Sequence, residues 1–172
     1  EERKERAEDI VQKIAKIMPE MESVAKSYKT QISTKFYEGD LQIAQAFDKE
    51  RVMASGQTVL TVCGEVDEAF KTFPEEFWQK WYKKFVIKKG SSVKMIVSDT
   101  PLGRQSSAQF DKVYKRECRF IKGFPVKINI EIFGDTVLLV SFKDKFAVWI
   151  ESAVVAASYR VLFETIWQTA SK

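Results

Sequence analysis

Residues 128–167 read INIEIFGDTVLLVSFKDKFAVWIESAVVAASYRVLFETIW, and this stretch decides the fold. Two apolar runs stand on either side of Gly134-Asp135, a dipeptide that is typical of a tight turn between hairpin strands. A third apolar run and an amphipathic segment follow. We therefore predict strands at 127–133, 136–142 and 146–150, and a closing helix at 152–169.

Upstream of this stretch, strand patterns alternate with helical patterns. β-Branched runs predict buried strands at 58–63 and 92–98. Strands alternating with helices indicate an α/β fold, with a mixed, mostly parallel sheet flanked by helices. The remaining predicted elements are a strand at 35–38, helices at 40–54, from Pro74 to before Gly90 and at 105–116, and an edge strand at 117–121.

The first 29 residues carry a different pattern, in which apolar residues recur at spacings of four and three. This spacing predicts a coiled-coil-like helix that Pro19 kinks or breaks. We expect residues 1–29 to link and dimerise the chain and residues 30–172 to form the main domain, although the helix could instead pack on its own domain. The dimer seam would consist of Ile10, Ile14, Ile17 and Met21.

Composition restricts the function classes. A chain of 172 residues fits one globular domain, and its net charge of +4 is weak for a nucleic-acid-binding module. No apolar run approaches the roughly 20 residues that a membrane-spanning helix needs, and no signal peptide is visible. Cys63 and Cys118 lack metal-ligand spacing and are predicted to be buried free thiols in a cytoplasmic protein.

Polar residues follow three of the predicted strands. The carboxyl ends of parallel strands meet at one edge of a sheet, where ligands commonly bind. Carboxylates beside an aromatic ring suit a ligand rich in hydroxyl groups, although the same residues could merely cap turns and helices. The candidate ligand-binding residues are Tyr37, Glu38, Gly64, Glu65, Asp99 and Thr100.

Signatures of catalysis are missing from the sequence. The chain contains no histidine, no glycine-rich phosphate loop and no GxSxG motif. The carboxylates at 65–68 and 75–76 are most simply read as helix-start or surface charges. We predict no catalytic residues, no metal site and no cofactor.

Several segments carry a family resemblance: TKFYEGDLQI at 34–43, IFGDTVLLVSFKD at 132–144 and FETIWQTA at 163–170. Together they resemble the C-terminal domain of TrmB-like transcriptional regulators. The resemblance implies a phospholipase D-like fold, a homodimer and a sugar or related metabolite as effector. It also implies that DNA is contacted through a preceding winged-helix domain, and because the chain begins at Glu1 we expect further sequence upstream.

The resemblance also bears on catalysis, since phospholipase D enzymes use a His-x-Lys-x4-Asp motif. In the matching segment, KINIEIFG, Lys127 replaces the histidine, Asn129 the lysine and Gly134 the aspartate. Without a histidine this mechanism fails, so the resemblance implies a non-catalytic groove lined by Lys127 and Asn129. Two alternatives remain: a divergent phosphodiesterase, or a purely structural dimerisation domain whose groove is filled by Phe124, Phe133, Phe142 and Phe146.

Overall fold

Seven strands form a single sheet in the computed structural model, which describes residues 32–172. Apolar and β-branched residues dominate the central strands, as burial on both faces requires. The strands are β1 (Ser33–Glu38), β2 (Thr58–Cys63), β3 (Ser92–Ser98), β4 (Arg116–Ile121), β5 (Asn129–Phe133), β6 (Thr136–Ser141) and β7 (Phe146–Glu151). Their order across the sheet is β1-β7-β6-β5-β2-β3-β4.

Within residues 32–172, five α-helices flank this sheet. They are α1 (Gly39–Met53), α2 (Val66–Thr72), α3 (Glu75–Tyr82), α4 (Pro101–Phe110) and α5 (Ala153–Thr169). A π-helical turn, Lys83–Ile87, continues α3. The α4 helix begins four residues before its predicted start, because Pro101 suits the first helical position and the Thr100 side chain accepts a hydrogen bond from the Gly103 amide. The short α2 helix was not predicted.

The sheet is mixed, so the predicted α/β class is confirmed. Its parallel pairings, β2 with β3 and β3 with β4, are fewer than we predicted, because the four other pairings are antiparallel. The cause is the chain's C-terminal half, where β5, β6 and β7 follow one another through short turns. Gly134 has a φ of +46° in the first of these turns, a conformation that glycine adopts without strain. The predicted edge position of β4 is confirmed.

Each face of the sheet carries its own apolar core, since alternate residues of a strand point to opposite faces. Helices α1 to α4 contribute to the larger core, which includes Phe47, Trp81, Phe85, Phe110 and Trp149. Helix α5 covers the other face and packs Phe163 and Trp167 against Val62, Ile96, Ile132 and Val137. We refer to these as the four-helix face and the α5 face.

Some predictions concern residues outside the described range. The N-terminal helix at 1–29 and its seam residues Ile10, Ile14, Ile17 and Met21 lie there. Among the helices that the structure describes, none has the length and apolarity needed to cross a membrane. Cys63 and Cys118 are both free and buried, as predicted.

Candidate functional site

A pocket lies on the four-helix face, between the helices and the middle of the sheet. Its volume is about 40 Å³, measured as the space that the centre of a water molecule can occupy. One water needs roughly 10–15 Å³ on this measure, so the pocket has room for a few waters or for one substituent of a larger ligand. Seven of the 17 residues that line it are aromatic: Phe47, Phe70, Trp78, Trp81, Tyr82, Phe110 and Phe142.

The aromatic wall is held by contacts between its own rings. Phe47 lies at its centre, with its ring centroid 5.5 Å from that of Trp78 in an edge-on arrangement and 6.2 Å from that of Phe142 in a stacked one. Trp81 Nε1 donates a hydrogen bond of 3.3 Å to the Phe47 carbonyl oxygen. Because α1, α3 and the loop after β6 are joined in this way, the wall is a preformed surface.

The sheet supplies a buried carboxyl group to this pocket. Glu131 is only 6% exposed, and its side chain accepts hydrogen bonds from the Thr61 hydroxyl and, at 2.7 Å, from Asn129 Nδ2. Burial raises the pKa of Glu131 to about 7, although both hydrogen bonds act to lower it. The group therefore changes its charge near neutral pH.

A second carboxyl group, that of Glu50 on α1, is near enough to Glu131 for their charges to interact, but it does not line the pocket. Glu50 is fully buried, and no described residue donates a hydrogen bond to either of its carboxyl oxygens. Burial first, and then the negative charge of Glu131, raise the pKa of Glu50 well above its usual value. A buried hydrogen-bond acceptor without a partner costs free energy, so the Glu50 carboxyl group destabilises the folded domain.

The cation in the pocket wall is already bound to other residues. Arg116 forms a salt bridge of 2.6 Å with Asp111 and donates hydrogen bonds to the Tyr82 hydroxyl at 3.1 Å and the Ser106 carbonyl oxygen at 2.7 Å. Only 3% of its side chain is exposed. Arg116 therefore balances the charge of Asp111 and leaves those of Glu50 and Glu131 without a paired cation among residues 32–172.

The predicted strand ends lie along one edge of the sheet, but they do not form one site. Tyr37, Asn129 and Cys63 occupy the same row across the sheet. Four strand spacings of about 4.8 Å separate β1 from β2, which puts the end of β1 roughly 19 Å from the end of β2. Asn129 alone among the predicted ligand-binding residues lines the pocket.

Most of the other predicted residues have structural contacts. Tyr37 is buried in the core, whereas Glu38 is exposed beside the start of α1. Asp99 forms a salt bridge of 2.8 Å with Arg104, and Thr100 caps α4 through a bond of 3.1 Å to the Gly103 amide. Of the capping roles that the sequence left open, that of Thr100 is confirmed, whereas the Glu38 side chain forms no cap bond with α1.

The remaining residues lie where β2 ends and β5 begins. A Cβ atom on Gly64 would overlap the Val126 carbonyl oxygen, so only glycine allows the chain segment before β5 to approach this closely. Glu65 is half-buried, and its Oε2 atom has no hydrogen-bond partner in the described part of the chain. Lys127 is exposed. Their predicted role in ligand binding stays a prediction.

The sequence contains a signal for Glu131 and Glu50, which we did not predict. Asn129 and Glu131 alternate with isoleucines in the run INIEIF. This alternation places polar side chains on one face of a strand whose two faces are both buried. Glu50 follows Phe47 by three positions and Ile43 by seven, which is the spacing of the buried face of α1. A charged residue at such positions indicates a functional or structural polar site.

Comparison with solved structures places the fold among known ones. Nuc from Salmonella typhimurium, a phospholipase D family member, superimposes with a TM-score of 0.61 at 12% identity, over 81% of this chain and 97% of that one. NucT from Helicobacter pylori has a TM-score of 0.61 at 12% identity, over 82% and 99%. The fold is phospholipase D-like. Our sequence-based expectation of this fold is confirmed.

A third solved structure covers more of the chain. TrmBL2, an archaeal chromatin protein with a novel mode of DNA binding, is 18% identical with a TM-score of 0.58, and the match covers 99% of this chain and 67% of that protein. The resemblance to a TrmB-like domain is thus confirmed at the level of the fold. No protein-family model matches the sequence, and no curated protein matches it.

Proposed function

We propose that this phospholipase D-like domain is the non-catalytic, effector-sensing and dimerising part of a cytoplasmic TrmB-like regulator. The observation that carries the proposal is the aromatic pocket, whose buried Glu131 is held by Thr61 and Asn129. Such a combination of apolar wall and few convergent polar groups is typical of small-molecule sites. A sugar-like metabolite is the ligand class that the TrmB resemblance implies.

The available side chains support binding over catalysis. The chain has no histidine to attack phosphorus, and Lys127 is exposed to solvent and not held in a site that would activate it as a nucleophile. The thiols are also poor nucleophiles, because burial raises the pKa of Cys118 to about 12 and raises that of Cys63 further. The proposal therefore treats the domain as a receptor and not as a phosphodiesterase.

Regulation would follow from a shift between conformations. A ligand that binds one arrangement of two protomers more tightly stabilises that arrangement. The segment at 1–29 would transmit this preference to a DNA-binding domain in a longer parent protein. The DNA-binding mode described for TrmBL2 motivates this last step, which concerns the parent and not residues 32–172.

A thermal-shift screen tests the sensing role. We expect a dose-dependent rise in Tm with one class among mono- and disaccharides, sugar phosphates and nucleotides, because a ligand at 100 times its Kd stabilises the folded state by about 2.7 kcal/mol. Thr61→Val keeps the shape of the side chain but removes its hydrogen bond to Glu131, and it should reduce the shift. A shift that is identical in the Val variant would place the ligand elsewhere.

A purely structural dimerisation domain is the second candidate, and the α5 helix favours it. Val154, Val161 and Leu162 on this helix are 78%, 68% and 57% exposed, which is unusual for large apolar side chains that lie on one helix. Of the predicted groove-filling residues, Phe124, Phe133 and Phe142 are buried, and Phe146 stacks on Phe36 with centroids 5.8 Å apart.

Light scattering of interface variants tests the dimer. If residues 1–29 form the seam, the double variant Ile14→Lys, Met21→Lys should be monomeric. Val161→Lys, in contrast, should leave the dimer intact, since it changes only the exposed face of α5. The reverse result would assign the interface to α5, and a monomeric unmodified chain would contradict dimerisation altogether.

A further inference from the structure

The positive charge of the chain is concentrated in two short segments. Residues 77–98 contain six lysines and no acidic residue, and residues 112–127 contain six basic residues and the single acid Glu117. In contrast, the seven basic and seven acidic residues of 1–31 balance one another, so the whole net charge of +4 arises from residues 32–172. The net charge therefore understates the density of positive charge in these two segments.

The fold brings the two segments together where β3 and β4 begin. The ring of Tyr82 at the end of α3 stacks on that of Tyr114 after α4, with centroids 5.4 Å apart. The Val93 amide donates a hydrogen bond of 3.2 Å to the Lys115 carbonyl oxygen. Because β3 and β4 are parallel neighbours, the residues before each strand lie at the same edge of the sheet. We call this region the lysine surface, and its exposed lysines are Lys83, Lys84, Lys88, Lys89, Lys112 and Lys115.

The charges of the lysine surface are not neutralised by the part of the chain that the structure describes. None of its six lysines forms a salt bridge there, and the neighbouring acid Asp111 is paired with Arg116 at 2.6 Å. Lys83 and Lys89 are at most about 9 Å apart along the helix axis, since a helix rises 1.5 Å per residue. This separation is similar to the screening length of roughly 8–10 Å at physiological salt, so the lysines repel one another and an anionic partner would relieve that repulsion.

Two unusual backbone conformations coincide with the lysine surface. Lys83–Ile87 forms a π-helical turn, a rare conformation that is frequent at functional sites. Lys115 has a φ of +46°, in the left-handed region that glycine adopts at a lower cost in free energy. A lysine held in such a conformation favours a role for its side chain, because backbone strain of this kind clusters at binding sites.

The apolar residues of the same helical segment are used by the core of the domain. Trp81, Phe85 and Val86 are 7%, 0% and 1% exposed. A helix that binds a membrane surface instead presents its apolar side chains to the boundary of headgroups and acyl chains. Of the residues at the lysine surface, Ile87 and Val113 are the exposed large apolar ones, and they come from different segments. A polar, positively charged surface of this kind fits a phosphodiester backbone better than a lipid bilayer.

We propose that the lysine surface binds the phosphate backbone of double-stranded DNA without reading its sequence. The inference goes beyond the sensing function, which assigns contact with DNA to another domain, and does not depend on it. A lysine contacts a phosphate as a point charge, and phosphate contacts position a protein on the duplex but carry no sequence information. Each such contact releases a counterion from the DNA, so the affinity falls as the salt concentration rises.

Fluorescence anisotropy of labelled DNA duplexes of unrelated sequence tests the proposal on the full 172-residue chain. We expect Kd values of roughly 10⁻⁴–10⁻⁶ M at physiological salt, similar for every sequence. Lys88→Gln and Lys112→Gln change one lysine of each segment. Each should weaken binding to all duplexes and reduce the slope of log Kd against log salt concentration by about 1. The matched control is Lys143→Gln, an exposed lysine after β6 at the opposite edge of the sheet, which should leave Kd and slope unchanged.

The other outcomes would overturn the proposal. No binding of the unmodified chain at about 50 mM salt, where the electrostatic attraction is strong, would remove DNA as the partner. Equal losses in all three variants would indicate diffuse attraction by the whole chain and no defined surface. Tighter binding to phosphatidylserine vesicles than to DNA, lost in Lys88→Gln and Lys112→Gln, would assign the surface to a membrane. If one of these two variants fails to fold, Lys84→Gln at another exposed position replaces it.

Discussion

The two faces of the sheet are built from alternate residues of the same strands, yet their chemistry differs. On the α5 face, β5 contributes Ile130 and Ile132, which pack with Phe163 and Trp167. On the four-helix face, the same strand contributes Asn129 and Glu131, both buried. Neighbouring residues of β5 thus lie alternately in an apolar core and in the wall of a polar pocket.

This difference shows where the domain is optimised for stability and where it is not. Apolar burial on the α5 face contributes about 25 cal/mol for each Å² removed from water. Burying a carboxyl group does the opposite, since it disfavours the charged form. A domain that served only to fold or dimerise would gain by replacing Glu50 and Glu131 with apolar residues of similar size, so their presence favours a binding role for the four-helix face.

Truncating the α5 face should give the largest loss of stability. Phe163 is 1% exposed and stacks on Trp167 with centroids 5.4 Å apart. Phe163→Ala leaves a cavity in a closely packed core and should lower the free energy of unfolding by about 3–5 kcal/mol. Chemical denaturation measures this change, and a loss below about 1 kcal/mol would show that the α5 face is loosely packed.

The matched variant on the four-helix face is Phe142→Ala. Phe142 is 2% exposed and lines the pocket. Phe142→Ala should therefore lower the free energy of unfolding by an amount similar to that of Phe163→Ala. Only this variant should also change the Kd of a pocket ligand, because Phe163 lies on the opposite face. Equal effects of both variants on ligand binding would contradict the division of the sheet into two functional faces.

Stability should depend on pH through the four-helix face. Burial raises the pKa of Glu131 to about 7 in the folded state from its ordinary value of 4.5, so between these values the folded chain holds a proton that the unfolded chain has lost. The free energy of unfolding therefore falls as pH rises through this window, by about 3 kcal/mol at 1.4 kcal/mol per pKa unit. The raised pKa of Glu50 acts in the same direction.

Urea denaturation of the unmodified chain and Glu131→Gln from pH 4.5 to pH 8 measures this contribution. The variant cannot titrate at position 131, so its stability relative to the unmodified chain should increase with pH. Glu117→Gln is the control, because it makes the same chemical change at an exposed position of β4. A difference for Glu131→Gln that is equally constant would show that Glu131 ionises normally in the folded chain.

Much of the fold was predictable because local patterns and tertiary packing agree. The runs at 58–63 and 92–98 are strands within the predicted bounds, and the Gly134-Asp135 turn forms the predicted hairpin. The pairing directions were less predictable. Whether β5 lies beside β2 in antiparallel orientation depends on contacts between residues some 70 positions apart, which no local pattern contains.

The candidate site was predicted less well, for a physical reason. Reasoning from strand ends, where loops converge, predicts no residue of the pocket, and Asn129 follows only from the resemblance to the phospholipase D motif. The pocket instead depends on the interiors of elements, with Glu131 in the middle of β5, whereas Glu50, near the end of α1, lies outside the pocket lining. Recognising that these two carboxyl groups lie close together requires knowing which helix packs on which strand.

The smallest expected effect concerns Thr100. Variants of this residue distinguish the two explanations of the strand-end residues, which are ligand binding and helix capping. The Thr100 hydroxyl accepts a hydrogen bond of 3.1 Å from the Gly103 amide at the start of α4, so Thr100→Ala should lower the free energy of unfolding by about 1 kcal/mol. Thr100→Ser keeps the hydroxyl and should restore most of it. Since a capping residue stabilises the helix whether or not a ligand is bound, neither variant should change the Kd of a pocket ligand. A weaker Kd in the alanine variant, recovered in the serine variant, would extend the binding site from the four-helix face to the edge of the sheet.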